Sequence, residues 1–89
     1  MAPSSGKPIR LSRHALGYMA RRGFTETEVA DTIRTSKWLP APQGRLQASK
    51  EFDYKNDWNG TWYARKKVRA IFVETATEII VVTVYTYFF

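Results

Sequence analysis

Eighty-nine residues allow one domain, because a chain of this size buries only about 60–65% of its unfolded surface and cannot support a second core. Hydrophobic residues at 44% and aromatics at 15% exclude a disordered chain, and fourteen Lys and Arg against eight Asp and Glu, a net charge of +6, point to a polyanionic partner. With no cysteine and a single histidine there is neither a disulfide framework nor a zinc ligand set, so chemistry without metal or other cofactor is expected.

In chain order, residues 1–8 (MAPSSGKP) read as a disordered lead-in or linker, followed by one domain over residues 9–89. Met1 to Arg10 has no apolar core of a secretory signal, and no stretch approaches the ~20 apolar residues of a membrane span, so no membrane partner is expected. The lack of cysteine suits the cytoplasm, and equally a domain exported and delivered into a target cell's cytoplasm.

Ser12 is placed to cap a helix running through Gly17 to Arg22, with Gly23 as its left-handed stop and Ala15, Leu16, Met19 and Ala20 on the buried side. Thr25-x-x-Glu28 forms a capping box, and Phe24 and Val29 occupy the positions of a hydrophobic staple. A second helix is therefore expected from Glu26 to about Ser36, packing through Val29, Ala30 and Ile33. The Pro-rich segment Leu39–Gly44 cannot continue it.

The pattern then changes to strand. Arg45–Tyr54 is one strand, and Asn59-Gly60 is a two-residue hairpin signal, with a bulge or longer loop expected between Lys55 and Gly60. Lys66–Glu74 and Glu78–Phe88 flank the turn Thr75-Ala76-Thr77. A three-residue loop would pair Phe72 with Ile80, Ala70 with Val82 and Val68 with Val84 on the core face. The other face would then carry Arg69 beside Thr83, Lys67 beside Tyr85 and Arg65 beside Tyr87. The expected fold is α+β, two N-terminal helices on one face of a roughly four-stranded antiparallel sheet.

Cations alternating with hydroxyls on a shallow strand surface suit phosphate, and exposed Tyr rings suit unstacked bases. Arg65, Lys67 and Arg69 with Thr83, Tyr85 and Tyr87 fit that description, although the same residues also solvate an open sheet face. On the first helix His14, Tyr18 and Arg21 share one side, with Arg22 at its border. Histidine is the residue type suited to give and take protons near neutrality, so His14 is a candidate general acid or base for RNA cleavage, or simply a solvated residue. Trp38, Trp58 and Trp62 fit packing better than base stacking.

The run His14-Ala15-Leu16-Gly17-Tyr18-Met19-Ala20-Arg21-Arg22-Gly23-Phe24-Thr25, with Val29, Lys67-Val68-Arg69 and the closing Val82-Thr83-Val84-Tyr85, resembles a small domain-of-unknown-function family grouped with the barnase, RelE and colicin ribonuclease toxins. The resemblance covers roughly residues 9–86. It implies a two-helix, four-stranded fold and a metal-independent endoribonuclease, with RNA as substrate and a small acidic antitoxin or immunity protein as neutraliser. By position it implies catalytic roles for His14, Arg22, Thr83 and Tyr85, to which the basic and aromatic pattern described above adds Tyr18, Arg21, Arg65, Lys67 and Arg69 as residues that would hold the substrate. Tyr18 stands where the family commonly has an Arg, which removes one cation that Arg21 or Arg65 could replace. A non-catalytic RNA-binding module and a protein-interaction domain with a basic docking face are the alternatives.

Overall fold

Each helix starts where a side chain satisfies its first free N–H groups. In the computed structural model, which describes residues 6–89, the Ser12 hydroxyl accepts the Ala15 N–H at 3.1 Å and caps α1 (Arg13–Gly17). The expected continuous helix to Arg22 is instead broken at Tyr18, whose φ of −98° and ψ of −2° end α1 and open α2 (Met19–Arg22). Gly17, a poor helix former, precedes the break, and the Tyr18 N–H turns back to the Ala15 carbonyl at 3.1 Å. The break changes which residues are buried: Ala15 is fully enclosed and Met19 half-buried, but Leu16 is 46% exposed and Ala20 faces outward, contrary to expectation.

Helix α3 (Glu26–Thr35) begins with the capping box complete in both directions: Thr25 Oγ1 accepts the Glu28 N–H at 3.1 Å and Glu28 Oε1 accepts the Thr25 N–H at 2.9 Å. Val29 and Ile33 are fully buried. Thr32, not Ala30, is the third buried residue, and its hydroxyl donates to the Glu28 carbonyl at 2.7 Å.

The sheet has five strands rather than four, β1 (Ile9–Leu11), β2 (Leu39–Ala41), β3 (Arg45–Trp58), β4 (Thr61–Glu74) and β5 (Ile79–Phe88), in the order β1-β5-β4-β3-β2, and is mixed because β1 runs parallel to β5. All other pairs are antiparallel. Neither β1 nor β2 was singled out in the sequence, because at three residues each they are too short to show alternation. Pro40 is tolerated because β2 is an edge strand. Ahead of β1, the Pro8 carbonyl accepts the Ile79 N–H at 2.9 Å and Lys7 Nζ pairs with Glu74 at 3.0 Å. Most of the expected lead-in, residues 1–5, lies outside the described residues.

Strands β3 (Arg45–Trp58) and β4 (Thr61–Glu74) form a long hairpin around Asn59 and Gly60, whose φ values of 51° and 84° are the positive pair a tight two-residue turn needs. The bulge is a little nearer the strand centre than expected, between Asp53 and Asn56, with Lys55 at φ 49°.

The β4/β5 register differs from the expected one. The turn takes four residues, closed by the Thr75 N–H on the Glu78 carbonyl at 2.9 Å, which pairs Phe72 with Val81. A second irregularity at Val82 then moves the pairing again, to Ile71 with Thr83, Ala70 with Val84, Arg69 with Tyr85 and Lys67 with Tyr87. Ser12 holds this extra residue through its hydroxyl on the Val82 carbonyl at 3.0 Å. The bulge lets Val81 and Val84 both face inward, which strict alternation forbids, and leaves Val82 only half-buried.

The helices cover one face of this sheet, over a core of Val68, Ala70 and Phe72 from β4, Ile79, Val81 and Val84 from β5, and Phe24, Val29 and Ile33 from the helical layer. Trp38 packs edge-on to Phe72 at 4.9 Å and donates Nε1–H to the Ile33 carbonyl at 2.8 Å. Beyond the helices a second aromatic group forms, with Trp58 stacked on Phe88 at 4.9 Å. Beside it Lys66, only 5% exposed, bonds Glu28 Oε1 at 2.8 Å and the Gly23 carbonyl at 2.7 Å. That clamp ties the end of α2 to β4 and so sets the position of Arg22.

Candidate nucleic-acid interface

Beyond the short β1, the outer edge of β5 is exposed to the helical layer, and Arg22 caps it. Its Nη1 donates to the Val84 carbonyl at 2.8 Å and lies 3.3 Å from Thr83 Oγ1. The guanidinium carbon sits 4.0 Å from the Tyr18 ring centroid and 5.0 Å from that of Tyr85. From β4, Arg69 approaches the same Tyr85 ring at 5.6 Å, steadied by its Nε–H on Gln47 Oε1 at 2.9 Å. Tyr85 therefore lies near two guanidiniums, one from α2 and one from the sheet. Nε and Nη2 of Arg22, and both terminal nitrogens of Arg69, bond no group among the described residues.

Next to this cluster a cavity of about 290 Å³ opens on the sheet, lined by Gln43, Arg45, Arg69, Ile71, Thr83 and Tyr85 among others. No carboxylate lines it. Among the described residues, Glu28, Asp31, Glu51, Asp53, Glu74 and Glu78 pair with Lys66, Lys50, Arg65, Lys7 and Arg10, none of them in the cluster. Glu78, at the opposite end of β5, is held below its ordinary carboxylate value by hydrogen bonds from Arg10 at 3.0 and 3.2 Å. The positive charge around Tyr85 is thus uncompensated, the electrostatic condition for an anion site.

The residues singled out in the sequence fall into three groups. Tyr18, Arg22, Arg69, Thr83 and Tyr85 meet directly. His14, exposed on α1, joins through Tyr18, ring to ring at 4.8 Å, and Arg21 lies 5.7 Å from the other side chain of that pair, Tyr18. Lys67 is one cross-strand position further along, opposite Tyr87. Arg65 is neutralised by Glu51 at 3.2 Å and Asp53 at 3.3 Å, so it is not available as the spare cation considered from the sequence.

Gln43, Arg45 and Gln47 went unnoticed in the sequence because only the β2/β3/β4 register brings them beside Arg69. Gln43, non-glycine at φ 64°, was the one with a local oddity, and backbone angles are not written in composition. Trp38 and Trp58 are packed, whereas Trp62 is exposed. Compared with known proteins, the chain matches no family model, no curated protein and no solved structure.

Proposed function

We propose that the protein is a metal-independent endoribonuclease of the toxin or effector kind, holding one RNA phosphate between Arg22 and Arg69. The observation that carries this reading is the pair of guanidiniums near Tyr85 with donors unused and no carboxylate nearby. Such a pair favours the dianionic pentacovalent phosphate over the monoanionic ground state, which is how a fixed charge lowers a barrier. The ribose 2′-OH attacks the adjacent phosphorus, the bond to the 5′-oxygen breaks, and the products are a 2′,3′-cyclic phosphate and a 5′-hydroxyl. His14 takes or supplies the proton, and the hydroxyls of Thr83 and Tyr85 hydrogen-bond the phosphate oxygens. A small acidic antitoxin or immunity protein would neutralise the site by covering the same cations.

One observation favours a second reading, a non-catalytic RNA-binding module: the His14 ring adjoins Tyr18 rather than the guanidiniums. Incubation with mixed RNA in excess chelator separates the two. Cleavage with cyclic phosphate ends is expected, and His14→Ala should lower turnover by roughly 10²–10⁴ without loss of fold. RNA retained but uncut would establish the binding module; cleavage undiminished in His14→Ala would move proton transfer to Tyr85.

A further inference from the structure

Leading away from the Arg22 and Arg69 pair, β5 and the residue that follows it present Tyr85, Tyr87 and Phe89 in alternate positions, 39%, 46% and 52% exposed. Each stands opposite a cation of β4: Arg69 pairs with Tyr85, Lys67 with Tyr87, and Arg65 exchanges backbone hydrogen bonds with Phe89 at 2.9 and 3.0 Å. The three places are not equivalent. The Tyr85 ring already has two guanidiniums near it, whereas Tyr87 and Phe89 make no aromatic or cation contact among the described residues. Arg65 is neutralised by Glu51 and Asp53, whereas Lys67 and Arg69 have no carboxylate within 4.0 Å among the described residues.

We infer that this row is a track for an extended single strand: a phosphate sits at Tyr85, successive bases stack on Tyr87 and Phe89, and the backbone follows Arg69 and Lys67. The proposal rests on the RNA reading of the site and adds the conformation of the substrate. Alternate residues of a strand stand about 6.6 Å apart, roughly twice the ~3.4 Å rise of a stacked nucleic-acid strand. Rings at that spacing accept bases only when the bases have been pulled off one another, which a duplex does not allow. Large exposed rings beside a line of cations are the chemistry by which unpaired strands are held without regard to sequence.

The test uses 2′-O-methyl oligouridylates, which lack the attacking hydroxyl and so report binding alone. A dinucleotide reaches only the Tyr85 end, while a pentanucleotide also covers Tyr87 and Phe89. The pentanucleotide should bind more tightly, and Tyr87→Ala or Phe89→Ala should weaken it roughly five- to a hundredfold while leaving the dinucleotide unchanged. Tyr87→Phe, which keeps the ring, should restore binding, and a 2′-O-methyl duplex of equal length should bind more weakly than the single strand. Equal affinity for the two lengths, or alanine variants that bind the pentanucleotide like the parent, overturns the track while leaving the phosphate site standing. If neither oligonucleotide binds at low salt, the RNA reading fails and the track with it.

Discussion

Gly23 has a Cβ-sized space that is already filled. A methyl there would meet Trp58 Cη2 and Cζ3 at 2.8 Å and Phe88 Cζ at 3.0 Å, and the backbone sits at φ 72°. All three atoms belong to two rings of a packed stack, so neither ring can withdraw cheaply. Gly23→Ala should therefore destabilise the fold by about 2–4 kcal/mol, the sum of left-handed strain and overpacking. In thermal denaturation that is a fall of roughly 10 °C or more for a domain of this size. The conformational half of this requirement was readable in the chain, since a glycine ending a helical stretch is a common left-handed stop. The steric half was not, because Trp58 and Phe88 arrive from strands 35 and more residues away. Lys66 is a similar case: on a strand bearing Arg65 and Lys67 it looks like another solvated cation, and only the fold shows it enclosed between Glu28 and the Gly23 carbonyl.

The capped helix α3 shows why some elements were legible and others were not. Its start depends on Thr25 and Glu28, three residues apart, and it was placed from the chain to within a residue at its end. Glu28 serves both the cap and Lys66, which gives the pair unequal weights. Thr25→Ala should cost about 1 kcal/mol, the usual worth of a cap. Glu28→Gln keeps an acceptor for the cap but leaves Lys66 enclosed without a counter-charge, and should cost about 2–3 kcal/mol. Urea unfolding checks both, as lower midpoints at an unchanged denaturant slope. Strand pairing is another matter. The β4/β5 register was expected one residue off near the turn and two residues off beyond Val82. The four-residue turn closes on itself through Thr75 and Glu78, with no composition signal that separates it from a three-residue one, whereas the bulge is held by Ser12, seventy residues away. The candidate site suffered in proportion: its members were found by type, but Arg69 lies beside Tyr85 instead of Thr83, and Arg65 lies with two carboxylates.

At the scale of the whole molecule, the net charge of +6 matters less than where it is uncompensated. Among the described residues the paired carboxylates leave Arg22, Lys67 and Arg69 free around one strand. If these three each hold a phosphate, binding of a single strand should weaken with salt at a log-log slope of about −2, from about −0.7 per contact. Lys67→Gln should flatten that slope by about one contact, whereas Arg65→Gln should leave it unchanged; fluorescence anisotropy across a salt series measures both. The bonds from Arg22 to Thr83 and Val84 also span 61 and 62 residues of chain. At a synthesis rate of roughly 5–20 residues per second, Arg22 is made about 3–12 s before the strand that completes its surroundings. A growing chain therefore carries the helix-borne guanidinium without its sheet-borne partners until β5 has been made. The proposed grip on a phosphate cannot precede the joining of β5 to the sheet, whatever is already folded before that strand.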